Sequence, residues 1–108
     1  MSANTVELND ENFEREIKNH KLLVVDCWAE WCGPCKIVGP IIEQLAMELK
    51  GRVTFGKLNV DENPETTQKY SIMSIPTFLV FRNGKPADQF VGAMPKAMMQ
   101  EKVLSYTK

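Results

Sequence analysis

A chain of 108 residues, 44% hydrophobic and 25% charged, suits one domain over residues 1–108 with an ordinary buried core. Its 13 basic and 14 acidic side chains nearly cancel and form no basic run, which argues against nucleic acid as a partner. No apolar run approaches the ~20 residues of a membrane span. Residues 1–5 show neither a basic nor an apolar leader segment, so the cytoplasm is the expected compartment.

Val6–Leu8 suits a short strand. Asn9 and Asp10 offer a cap for a first helix, on which Phe13 and Ile17 make an apolar stripe and Glu14 and Glu16 face water. That helix should end near Asn19 and His20, and His20, with lysines on both sides, reads as a solvated turn residue. Leu22–Trp28 is apolar on both faces, the pattern of a central strand covered by helices on each side. Asp26 interrupts it. At an exposed strand end it is an ordinary carboxylate; on a central strand desolvation raises its pKa and suits it to carry a proton. Cys27 reads as a small apolar filler.

The run Trp31-Cys32-Gly33-Pro34-Cys35-Lys36 sets two thiols three residues apart at a strand-to-helix junction. Val38, Ile41, Ile42, Leu45 and Leu49 follow at spacings of three and four, which predicts a helix over 34–49. Unpaired N–H groups and the positive end of the macrodipole favour a thiolate at its first turn. Cys32, just ahead of that turn, should face solvent, and Cys35, one turn in, should be more covered. Cys32 is thus the expected attacking thiol and Cys35 the resolving thiol of an exchange through a mixed disulfide. Pro34 fits the first helical position, where its missing N–H is not needed. Gly33 lets a target backbone come close. Asp26, six residues before Cys32, could take the Cys35 proton. Half a zinc site is the competing reading, but tetrahedral zinc needs four ligands and only Cys27 and His20 remain, so no metal is expected. A static disulfide would call for an oxidising compartment.

Further on, Pro40 predicts a kink and Gly51 a helix end. Residues 53–60 read as a strand parallel to Leu22–Trp28 after a right-handed crossover. Lys57 is the odd residue in it, by residue type a snorkelling surface lysine. Asp61, Glu62, Asn63 and Pro64 should cap a short helix reaching about Tyr70. A strand over 77–82, antiparallel to Leu22–Trp28, would set Pro76 opposite the cysteines and leave the Ile75 backbone to pair with an extended target. Asn83 and Gly84 signal a two-residue hairpin. Pro86 marks the following strand, about 87–91, as an edge, and Gly92 would end it. Pro95 opens a last helix with Met99 and Val103 inward, and the six methionines read as gap-fillers.

The stretch Trp28-Ala29-Glu30-Trp31-Cys32-Gly33-Pro34-Cys35-Lys36, with Pro40 beyond it, resembles the active-site segment of the thioredoxin family, and the likeness runs from about residue 10 to about residue 102. The resemblance implies a thioredoxin-like α/β fold, a central mixed five-stranded sheet flanked by four helices. It implies a protein disulfide reductase with no cofactor beyond a redox-active Cys32–Cys35 disulfide, acting as a monomer. A thioredoxin reductase would recycle it and disulfide-containing proteins would be its targets. It adds Lys57 to Cys32, Cys35 and Asp26 as a catalytic residue, one that tunes Asp26 downward. It makes the Ile75–Pro76 bond cis, and it places Trp31, Gly33, Pro34, Ile75, Pro76 and Gly92 on the target-binding surface. Three positions depart from the family pattern. Gly39 replaces a common alanine, at up to about 1 kcal/mol of local stability; Ser74 replaces glycine in a loop that should be stiffer or reshaped; Cys27 replaces a larger apolar residue. An uncharged Gly33-Pro34 pair favours a reductant, with an isomerase or glutaredoxin-like role as the nearest alternative. A docking module with incidental thiols is the reading from another class.

Overall fold

The structure, a computed structural model, describes residues 4–108; residues 1–3, part of the stretch read for a leader, lie outside it. In chain order it has β1 (Val6–Leu8), α1 (Phe13–Asn19), β2 (Leu22–Trp28), α2 (Gly33–Glu48), β3 (Thr54–Asn59), α3 (Pro64–Lys69), β4 (Thr77–Arg82), β5 (Lys85–Val91) and α4 (Lys96–Leu104). The strands form one sheet in the order β1-β3-β2-β4-β5. β1, β3 and β2 are parallel, β4 runs antiparallel to β2, and β5 antiparallel to β4. This is the mixed sheet of the thioredoxin-like fold.

Strand β2 is apolar on both faces because helices cover both. Leu22 and Val24 join Val38, Ile42 and Leu45 of α2 and Met99 and Val103 of α4 in one core. Leu23, Val25 and Cys27 point the other way, into a core with Phe13 and Ile17 of α1 and Phe81 of β4. Each fully buried side chain of this size contributes about 1.5–3 kcal/mol. Alternation along the strand then puts position 26 in the α2-facing row. Strand geometry thus turns Asp26 toward the interior.

The predicted hairpin is present: Asn83 and Gly84 both have positive φ, 52° and 81°, as the favoured two-residue turn requires. β5 starts at Lys85, earlier than expected, and is the sheet edge, where a strand proline such as Pro86 is tolerated. α2 runs unbroken through Pro40 and closes at Glu48, and Gly51, φ 91°, turns the chain out of it. His20 is less solvated than predicted, with its Nε2 3.1 Å from Glu16 Oε1.

Two expected caps belong elsewhere. Asn9 pairs with Asn12 ahead of α1: each backbone N–H donates to the other's side-chain oxygen at 2.8 Å. Asp10 instead caps α3 across the fold. Its Oδ1 accepts from the Thr66 N–H at 2.8 Å and its Oδ2 from the Glu65 N–H at 3.2 Å. Pro64 has no N–H, so these are the first two donors α3 presents. Asn63 makes no side-chain cap; its Nδ2 donates to the Asn59 carbonyl and its Oδ1 accepts from the Asp10 N–H. Burial works against the Asp10 charge, but the bonds from Thr66 and Glu65 outweigh it and hold the carboxyl below its ordinary value. A depressed pKa gives stability that is present above the unfolded value near 4 and is lost as pH falls through the folded one. Asp10→Ala is therefore expected to cost about 0.5–2 kcal/mol at pH 7, with the gap closing in acid. Urea unfolding at pH 7 and pH 3 checks this, and equal stability at pH 7 would refute the cap.

Candidate active site

Cys32 is the residue just before α2, and its extended backbone (φ −89°, ψ 110°) turns the side chain back over the first helical turn. The Cys35 N–H reaches Cys32 Sγ at 3.2 Å, so the sulfur occupies a place where a capping oxygen often stands. Pro34 lies in the first turn, one place after the first helical position expected of it, which Gly33 takes. Cys32 and Cys35 form a disulfide with their Cα atoms 5.3 Å apart.

The structure corrects one expectation here. Cys32 was expected open and Cys35 covered; in the disulfide form they are 3% and 5% exposed. Cys32 Sγ lies 3.8 Å from the Ile75 carbonyl oxygen, so the loop ahead of β4 shields it. That loop has the cis Ile75–Pro76 bond that the resemblance implied. Within it the Ser74 carbonyl accepts a hydrogen bond from the Thr77 hydroxyl. The Gly92 N–H donates to the Pro76 carbonyl at 2.8 Å, which brings the end of β5 to the same place. Gly92 has φ 106°, a conformation that selects glycine whatever the surrounding space.

Apolar side chains are exposed on the segments that meet at the disulfide and the Ile75–Pro76 loop. Trp31 is 70% exposed, Met73 93% and Val91 58%, and Gly33 and Pro34 are also exposed. Trp31 is held in place by its Nε1–H, which donates to Asp61 Oδ2 at 2.8 Å. Asp61 was expected to cap α3; it orients the indole instead. Met73 and Val91 were not singled out from sequence. Their only signal was position, each within two residues of a predicted surface residue.

Beneath the surface lies Asp26, 1% exposed. Neither carboxylate oxygen accepts a hydrogen bond among the described residues. Asp26 and Lys57 are register partners on β2 and β3, and this pairing explains their meeting. Lys57 Nζ is 4.0 Å from Asp26 Oδ2 and 3.3 Å from Glu43 Oε2 of α2. Burial pushes Asp26 up to about 6, against the pull of Lys57 and with a further push from Glu43. Asp26, Lys57, Glu43 and Cys35 line one open cleft beside α2. Glu43 was missed in the sequence, although Cys35, Gly39 and Glu43 recur every four residues on α2.

Cys27 takes no part. It is on the opposite face of β2, and burial, with the Asp26 charge behind it, pushes its thiol far above the range of a nucleophile. Among the described residues no cluster of three or more His, Cys, Asp or Glu is placed to hold a metal ion. No described helix is long and apolar enough to cross a membrane.

The disulfide crosses the first turn of α2, and neither of its cysteines belongs to either core. Fold and site together define a thiol–disulfide oxidoreductase that works by dithiol–disulfide exchange. Comparison with known proteins narrows the class. The thioredoxin family model matches residues 4–105. Thioredoxin 2 of Chlorobaculum tepidum is 51% identical over 104 residues, 95% of each chain. The thioredoxin of Alicyclobacillus acidocaldarius is 47% identical over 96 residues, 89% of this chain and 91% of its own. A Staphylococcus aureus thioredoxin is 46% identical with the same coverage. The chain belongs to the thioredoxin family.

Proposed function

We propose that this protein reduces disulfides in other proteins, with Cys32 as the attacking sulfur. The Cys32 thiolate forms a bond to one sulfur of the target disulfide and breaks it, and the released target thiolate takes up a proton. Cys35 then gives its proton to the Asp26 carboxylate and attacks Cys32. This closes the Cys32–Cys35 disulfide and releases the second target thiolate, so two electrons have passed to the target. A thioredoxin reductase restores the dithiol.

The observation that carries this reading is the position of Cys32 Sγ, between the Cys35 N–H of α2 and the Ile75 carbonyl. The helix end favours its thiolate, and the neighbouring backbone can pair with an extended target strand. Trp31, Gly33, Pro34, Ile75, Pro76 and Gly92 then form the docking surface, joined by Met73 and Val91. Asp26, raised to about 6, is mostly ionised at pH 7 and can accept a proton there. Lys57 keeps it from rising further. A reductant cycles only where thiols are kept reduced, which makes the cytoplasm its compartment. The test is insulin reduction with dithiothreitol as electron source: the protein should speed precipitation of the insulin B chain, and a rate equal to dithiothreitol alone would exclude this function.

A further inference from the structure

Lys57 stands between two carboxylates, and the nearer one is Glu43, at 3.3 Å against 4.0 Å for Asp26. Glu43 shares its stripe of α2 with Gly39 and Cys35. The ammonium comes close to this stripe: a Cβ built on Gly39 would meet Lys57 Nζ at 3.5 Å, ordinary van der Waals contact. The ammonium therefore rests against α2, toward Glu43. The two acids differ in what else they have. The Glu43 side chain is 33% exposed and keeps water; Asp26 is buried, with no hydrogen-bond donor among the described residues. One cation cannot neutralise both.

We propose that Glu43 is a positioning residue for the exchange reaction: it holds the Lys57 ammonium on the α2 side of the cleft, away from the Asp26 carboxylate. The consequence for turnover rests on Asp26 carrying the proton of Cys35; the effect on Asp26 itself does not. Other charged groups face the same cleft: Glu7 of β1, Glu30 after β2, Lys36 of α2 and Glu62 after β3. All four are exposed, and water screens them from a buried carboxylate. Burial remains the largest influence on Asp26, Lys57 the second and Glu43 the third, so the effect of Glu43 is a trim on a value set by burial.

Glu43→Gln keeps the shape and removes the charge. Asp26 should then bind its proton about three- to tenfold more weakly. The readout is the titration midpoint of the Asp26 side-chain carboxyl carbon by NMR in the oxidised protein. Glu43→Asp, which retains the charge, should recover most of the wild-type midpoint. An unmoved midpoint in the glutamine variant, or an equal drop in both variants, overturns the proposal. Insulin turnover against pH separates it from the reading beneath it. With Asp26 as proton carrier, the acidic limb of the profile moves to lower pH together with the carboxyl. A limb that stays put while the carboxyl moves sinks the proton-carrier role and leaves the hold of Glu43 on Lys57 standing.

Discussion

Cys35→Ser is expected to attack a target disulfide once and then stay attached. Turnover in insulin reduction should fall on the order of a thousandfold or more, while a covalent adduct through Cys32 accumulates that survives denaturant and is released by dithiothreitol. Serine nearly matches cysteine in size, and its Cα would stand the same 5.3 Å from that of Cys32 on the first turn of α2. The docking surface should be unchanged. What is lost is the second nucleophile, because a serine hydroxyl is not ionised near neutral pH and cannot displace the target sulfur. Cys32→Ser makes the complementary case: turnover should fall as far, but no adduct should form, since a target docked on the exposed surface meets no sulfur at position 32. Both sulfurs are nearly covered in the oxidised form. The order of attack therefore rests on Cys32 standing ahead of the helix, beside Ile75, with Cys35 one turn in. Continued turnover by Cys35→Ser, or equal trapping by Cys32→Ser, would reverse or abolish that order.

The parts of this site that were legible in the sequence are those set by local pattern. β2 and β4 came out with their ends correct, because apolar runs bounded by turn residues are strand signals that need no partner. The cysteine pair, Pro34 and the hairpin at Asn83 and Gly84 were likewise local. The burial of Asp26 followed from a strand apolar on both faces. The failures share a different cause. Asp10 and Asp61 each precede a helix, and the capping rule assigned each to the helix that follows. Asp10 instead bonds α3, 55 and 56 residues away, and Asp61 bonds Trp31, 30 residues away. A short polar side chain takes whichever donor the topology brings near, and no local window contains that information. The cover over Cys32 is of the same kind, since Ile75 lies 43 residues on. Glu43 was hidden for a milder reason: its spacing on α2 was readable, but its meaning depended on the Asp26–Lys57 register, which only the sheet supplies.

Asp26→Ala should make the oxidised protein more stable at pH 7 and a poorer reductant. Asp26 is 1% exposed and its carboxyl is pushed up to about 6, from an ordinary value near 4. Below pH 4 the group is protonated in the folded and unfolded chains alike, and burial of a neutral acid carries no charge penalty. Between about pH 4 and pH 6 the unfolded chain ionises while the folded one still resists, so stability is lost as pH rises. Above the folded value the loss levels off at about 2–4 kcal/mol, from the difference of the two pKa values. Alanine removes the titrating group and with it the pH slope. The comparison that isolates the charge is thus between two pH values as well as two proteins: from pH 4 to pH 7.5 the wild type should lose that amount relative to the variant. Alanine also leaves a gap and frees Lys57, but Lys57 keeps Glu43 at 3.3 Å, so no unpaired ammonium is buried. Urea unfolding of the oxidised proteins across this range is the measurement, and parallel pH profiles would mean that Asp26 is not the buried acid described. Activity should move the other way. Without a carboxylate beside it in the cleft, Cys35 must lose its proton to water, and resolution of the mixed disulfide should slow by about 10²–10⁴-fold, the usual worth of a placed base. Opposite shifts of stability and rate in one variant would tie both to the same buried carboxylate, and a variant both less stable and fully active would break that link.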